Sequence, residues 1–287
     1  MIEERLVVAL GAATYSVERP WALDGARYRG GRITDVAVDS QDGAHVLVRY
    51  DRYSDPTGLP VIVVVAPDGT VRRELVLPEV SDGHGIAIGP RDEILLTDRD
   101  RHEIRIMDPQ GDTVLRLGQR NGPGKPFSHP TGAAIHPNGD IFVSDGYGNS
   151  LVHRFSPRGE LLVTWGEPGA GPGQFTTPHD LAFGIKGEVI VCDRENNRIQ
   201  AFDIDGKYLW EAGDLYHPMG IVVDPQGRIL VSDQIPRLSM FSPEGKLIGR
   251  CRPVLNAGHG LARDGAGRIL LAEIRDNWLT RLVPTNA

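Results

Sequence analysis

Cysteine is nearly absent from this chain: Cys192 and Cys251 are the two in 287 residues. Two thiols cannot supply the disulfide framework of a small secreted fold, so a reducing compartment is the expectation. Positive charge is not in excess either. Lys and Arg number 31 against 38 Asp and Glu, a formal net charge of −7. That balance argues against a basic footprint for nucleic acid or an anionic membrane surface. The apolar stretch at residues 6–10 is too short for a transmembrane helix or a secretory core, and the five residues before it (MIEER) lack a basic leader pattern. The chain therefore reads as soluble and cytoplasmic, with no nucleic-acid or membrane partner.

Glycine (35) and proline (21) are abundant and recur at turn-like intervals along the whole length. This is the distribution of many short strands rather than of a disordered tail. One phrase repeats: a short apolar strand, a Pro/Asp/Asn-Gly turn, a second apolar strand ending in an acid, then a third strand and another turn. It reads HGIAIGPRDEILLTDRDRHEIRIMDPQGDTVLRLG from His84 and TGAAIHPNGDIFVSDGYGNSLVHRFSPRGELLVTWG from Thr131. Further copies open at His179, Met219 and His259, with a more divergent one at Thr34. Openings spaced 40 to 50 residues apart match the length of a four-stranded propeller blade. The last copy lacks a fourth strand, and residues 5–11 (RLVVALG) resemble the fourth-strand text of blade 2. The expectation is one all-β domain over 1–287, a six-bladed β-propeller whose N-terminal strand closes the last blade and leaves no open sheet edge.

The repeats resemble NHL repeats over nearly the whole chain, and residues 166–178 (GEPGAGPGQFTTP) carry the G-x-G-Q-F…P phrase of that family. The resemblance implies the fold but not the function, because propellers host binding modules, scaffolds and enzymes alike.

Aligned on the residue that opens each innermost strand, the six blades read Thr34, His84, Thr131, His179, Met219, His259. Histidine alternates around the ring. Innermost strands line the central channel, so residues on alternate blades converge at one depth with approximate three-fold symmetry. Three neutral imidazoles so placed form the protein half of a tetrahedral zinc site, with a fourth position open to water or substrate. The plainer alternative is a ring of water-bonded channel histidines. His102, His129, His136, His153 and His217 share no such column and read as structural or solvated.

The second strand of blades 2 to 6 ends in an acid: Asp98, Asp145, Asp193, Asp233 and Glu273. Its recurrence marks it as structural. The residues that break the pattern are more informative: Arg49 at the end of the blade 1 strand, Tyr147 and Arg194 just past the acid in blades 3 and 4. Around them, SDGYGNSLVHRFSPRGELLVTWGE (residues 144–167), GQFTTPHDLA (173–182) and DRENNRIQAF (193–202) resemble the peptidylglycine α-amidating lyases (peptidyl-α-hydroxyglycine lyases). The resemblance implies zinc (Zn2+, or another divalent transition metal) on His84, His179 and His259, proton transfer by Tyr147, and active-site roles for Arg194 and Arg49. The family's disulfide cysteines near the Tyr147 and Arg194 loops are missing. Gly260 stands where that family has an acid that helps bind a structural calcium (Ca2+), a departure that puts the calcium in doubt. Ala257 stands where it has a methionine.

The family reaction cleaves an N-acyl hemiaminal, R-CO-NH-CH(OH)-COO⁻, to an amide and glyoxylate. It implies a small-molecule substrate bearing a carboxylate or amide, of hydroxyglycine or ureidoglycolate type, with Tyr147 as a general base of lowered pKa. Two other functions fit a propeller: a non-catalytic NHL interaction platform, and a metal-dependent hydrolase or lactonase. Lactonase propellers typically offer Glu, Asn and Asp to calcium, where this column offers histidine. The segment at 51–60 (DRYSDPTGLP), beside Arg49, reads as a long loop that could act as a lid.

Overall fold

Hairpin-forming turns and strands with period-two burial give a ring of sheets. The structure, a computed structural model, describes residues 6–23, 28, 30–50, 58–254, 256 and 258–285. Blades 1 to 5 are four-stranded antiparallel sheets, and the sixth sheet is five-stranded. Each blade's first strand lies innermost. These are Arg32–Val38, Gly83–Ile88, Gly132–Ile135, Pro178–Phe183, Pro218–Val223 and Gly258–Arg263, and each packs against the next, with the sixth returning to the first. The chain is a closed six-bladed β-propeller.

Burial follows position in the blade. Second strands such as Ile94–Asp98, Ile141–Asp145 and Val189–Asp193 are buried at every residue, because both of their faces meet a neighbouring blade. Outer strands such as Val71–Val76 alternate between half-buried and exposed, as expected for a sheet with one wet face. Apolar packing accordingly divides into six clusters, one between each pair of adjacent blades. The core is a set of radial seams, and the axis is left to polar side chains.

Ring closure uses the N-terminus, as expected, but one strand later than the text at 5–11 suggests. The strand that pairs with Trp278–Pro284 as the fourth of blade 6 is Ala13–Glu18, with Tyr15 opposite Pro284 and Glu18 opposite Arg281. Val7–Leu10 folds back outside it as a fifth strand, with Leu10 opposite Ala13. Gly11, at φ +63°, makes the reversal. Leu10 is fully buried against residues of blades 5 and 6. Gly249 of blade 5 approaches so closely that a Cβ there would lie 2.4 Å from the Gly11 nitrogen. Arg5 lies outside the described residues.

Candidate metal centre and active site

The side chains that reach the axis are aimed by a repeated backbone irregularity. In blades 1, 2, 4, 5 and 6 the pairing between first and second strands shifts register at the column residue. The shifts span Ile33/Asp35, Gly83/Gly85, Pro178/Leu181, Pro218/Ile221 and Gly258/Gly260. A bulge frees one residue from the ladder and turns it. Here it turns His84, His179 and His259 into the channel.

The three imidazoles form a nearly equilateral triangle. Ring centroids are 5.0 Å apart in all three pairs, with interplanar angles of 68°, 71° and 75°. One potential ligand nitrogen from each lies within 4.8 Å of the others, and all three side chains are buried. Their orientation comes from the intervening blades. His84 Nδ1 bonds the Thr131 carbonyl at 2.6 Å, His179 Nδ1 that of Met219 at 2.8 Å, and His259 Nδ1 that of Thr34 at 2.9 Å. A carbonyl can only accept, so each Nδ1 carries the proton and each Nε2 presents a lone pair. The non-histidine members of the column thus fix the tautomer of the histidine members.

Burial, mutual repulsion and nearby guanidinium groups hold His84 and His259 well below the usual imidazole range. Burial and the charge of Arg194 bring His179 down to about 3. Three neutral imidazoles with converging lone pairs and back-bonded Nδ1 groups fit a divalent transition metal such as zinc.

Tyr147 closes the fourth side. It sits in the connection after Ile141–Asp145 in blade 3, between the blades of His84 and His179. Its hydroxyl lies 3.1 Å from His84 Nε2 and 3.4 Å from His179 Nε2. Although the residue as a whole is exposed, the hydroxyl is its deep end. Loss of water there pushes its pKa up, against the opposing charges of Arg194, Arg99 and Arg49. The lowered pKa expected for Tyr147 is therefore not supplied by the protein's own groups.

Arg194 begins the 3-10 turn Arg194–Asn196 and pairs through Nη1 with Glu195 at 3.1 Å. Arg49 is buried, 3.3 Å from the carboxylate of Asp82. Arg99 pairs with the same Asp82 carboxylate, and its guanidinium lies 5.4 Å from the centre of the Tyr147 ring. Arg99 and Asp82 were not singled out from sequence. A signal existed: blades 2 and 4 both carry Asp-Arg at the strand end, as Asp98-Arg99 and Asp193-Arg194. Residues 51–57 of the possible lid, and Ala257, lie outside the described residues.

The strand-end acids are structural, with a specific task. Asp98 accepts the backbone N–H of Ser81 and Asp82, Asp145 that of Ser128, and Asp193 that of Thr176. Each carboxylate ties down the chain just before its own blade's innermost strand. Among the other histidines, His153 bridges Asp145 and Thr164, while His102 stacks edge-on against His129.

Below the triangle a second column reads Asp35, Gly85, Gly132, Asp180, Gly220, Gly260. Asp35 accepts from the backbone N–H groups of Val36 and Ile86, and Asp180 from Leu181 and Ile221. A cavity of about 20 Å³ lies between these carboxylates and the imidazoles. Burial and the charge of Asp180 raise the pKa of Asp35, and burial raises Asp180 to about 7. A Cβ on Gly260 would fall 2.2 Å from Asp35 Oδ1. Asp35 thus occupies the space that a side chain at 260 would need, so only glycine fits there.

The NHL repeat family matches residues 127–155 and 175–202, in blades 3 and 4. NHL repeats are thus matched in two of the six blades. Among its relatives, the mouse peptidyl-glycine alpha-amidating monooxygenase is 31% identical over 229 residues, 68% of this chain and 23% of that protein. The chain thus spans about a quarter of the length of that relative. A probable peptidyl-alpha-hydroxyglycine alpha-amidating lyase of Caenorhabditis elegans is 33% identical over 165 residues, covering 53% of this chain and 46% of its own. Among solved structures, a gluconolactonase from Xanthomonas campestris superposes with a TM-score of 0.72 at 20% identity, covering 98% of this chain and 94% of its own. At that identity the likeness concerns the fold.

Proposed function

We propose that this NHL propeller is a metal-dependent carbon–nitrogen lyase acting on a small N-acyl hemiaminal of hydroxyglycine or ureidoglycolate type. The observation that carries the reading is the convergence of three neutral imidazole Nε2 lone pairs beneath the Tyr147 hydroxyl. The similarity to proteins named peptidyl-alpha-hydroxyglycine alpha-amidating lyase, at 28% and 33% identity, supports the same reaction class. Bound by His84, His179 and His259, zinc or a similar ion supplies Lewis acidity to a substrate oxygen and the positive charge that favours the Tyr147 phenolate.

The chain's own residues supply the rest. Tyr147 accepts the proton of the substrate hydroxyl. The C–O bond gains double-bond character as the C–N bond breaks, and the electron pair leaves with nitrogen. Tyr147 returns the proton to that nitrogen, so an amide and a 2-oxo acid form with no redox change. Arg194 and Arg49 hold the substrate carboxylate by charge-assisted hydrogen bonds. The bulges and carbonyl anchors keep the imidazoles fixed through the cycle.

Incubation of the zinc-loaded protein with α-hydroxyhippurate, with glyoxylate as the readout, tests the reading. Activity should be lost on chelation and restored by zinc. It should fall about a hundredfold or more in Tyr147→Phe while zinc content stays near one per chain. Zinc should be lost in His84→Ala. Activity that survives both chelation and Tyr147→Phe would refute the mechanism. Calcium alone on the purified protein would favour the lactonase alternative, and absence of any metal affinity the interaction platform.

A further inference from the structure

Arg99 is a strongly placed cationic group beside the triad for which the proposed reaction has no use. Its guanidinium lies 5.4 Å from the centre of the Tyr147 ring and shares the Asp82 carboxylate with Arg49, yet a single substrate carboxylate is already served by Arg49 and Arg194. Asp82 is buried and takes both Arg49 and Arg99. Asp100 meets Arg99 Nε at 3.1 Å, and its side chain is partly exposed, where water weakens the pairing. Among the described residues, these contacts engage Nε and Nη2 of Arg99 and leave the Nη1 edge of the fork. The guanidinium is held in place at the face of Tyr147 by a carboxylate that cannot itself bind an anion.

Resting on the lyase reading, the geometry points to a second anion subsite at Arg99, so that the substrate carries an acidic group on its acyl side in addition to the carboxylate next to the hemiaminal carbon. The substrate class is then an N-acyl-α-hydroxyglycine whose acyl group ends in a carboxylate. The chain of a neutral peptide offers no such group. Arg99 acts here as a specificity-determining residue, distinct from the proton transfer at Tyr147.

The test compares N-succinyl-α-hydroxyglycine with its neutral isostere, N-succinamoyl-α-hydroxyglycine, using glyoxylate release by the zinc-loaded protein. The succinyl compound should have a kcat/KM about tenfold higher, expressed mainly in KM, as for a charge-assisted contact made equally in ground and transition states. Arg99→Gln should reduce that ratio to near one, and Arg99→Lys should restore part of it. A purely structural role would lower both substrates together and leave the ratio intact. Calorimetry with N-succinylglycine and N-succinamoylglycine, which lack the hemiaminal hydroxyl, gives a readout independent of turnover. Glyoxylate release without discrimination, or discrimination that survives Arg99→Gln, overturns the subsite but not the lyase. If neither substrate yields glyoxylate while N-succinylglycine still binds more tightly through Arg99, the lyase reading fails and the subsite stands. Equal binding of the two glycine derivatives with no turnover sinks both.

Discussion

Lowering the pH from 7 to 5.5 should leave zinc affinity at the histidine triad almost unchanged, and this tests whether the fold itself prepares the ligands. A metal competes with protons for each imidazole. With ordinary pKa values near 6.5, each of three independent histidines would lose roughly eightfold in availability over that interval, or roughly 600-fold together. In the folded chain His179 titrates at about 3, and His84 and His259 lie well below the ordinary range. His179 is therefore neutral at pH 5.5, and with His84 and His259 displaced in the same direction the expected loss is far smaller than the loss for three ordinary imidazoles. Direct calorimetric titration with zinc at several pH values, in buffers of different ionisation enthalpy, reads both affinity and protons released. A loss of hundreds-fold, or release of about three protons per zinc near pH 6, would refute the reasoning. Thermal stability is a poorer readout. Depressed imidazoles make the folded state lose stability as pH falls from about 6.5 toward about 3, because only the unfolded chain takes up those protons. Asp35 and Asp180, with raised pKa values, act in the opposite sense. Their folded-state protons are lost from the unfolded chain above about 4, so their contribution is present at low pH and disappears as pH rises through about 7 for Asp180.

Three further outcomes follow from the packing. Gly260→Ala should cost about 3 kcal/mol or more in urea denaturation, because its Cβ would meet Asp35 Oδ1 at 2.2 Å and the Asp35 Cα at 2.5 Å. Gly213→Ala, where nothing lies within 4 Å, serves as the control and should be near neutral. Deleting residues 1–11 should leave a folded ring weakened by about 2 kcal/mol, chiefly from Leu10, whereas deletion through Glu18 removes the fourth strand of blade 6 and should abolish cooperative melting. Cys251 is pushed up to about 12, and burial raises Cys192 further from reactivity. A thiol-exchange reagent at pH 8 should therefore label neither until the protein is unfolded, with roughly a thousandfold less thiolate at Cys251 than in a free thiol.

The ring and its histidine column were legible because both are periodic. A blade repeats its turns and apolar strands, and a residue's place in the repeat gives its depth along the axis. That alone put His84, His179 and His259 in one layer. The closing strand was misplaced by one strand because RLVVALG and ATYSVE both suit a sheet edge, and only the fold-back at Gly11 separates them. Arg99 escaped notice because its place depends on Asp82, which enters from the connection before the innermost strand of blade 2. Such a pairing between two loops has no period to betray it. The register shifts that aim the histidines are likewise invisible in residue type, since the same backbone step occurs at Thr34 and Met219.

The carbonyl anchor of His259 has a consequence for how the protein matures. That bond joins His259 to Thr34, 225 residues apart in sequence, across the seam where the last blade meets the first. A chain still being synthesised can bring His84 and His179 together with their anchors in blades 3 and 5. The third ligand and its orienting carbonyl come into register only after the C-terminal strands have met the N-terminal ones. On the metal-site reading proposed above, capture of an ion by the full triad would be a late event that reports completion of the ring.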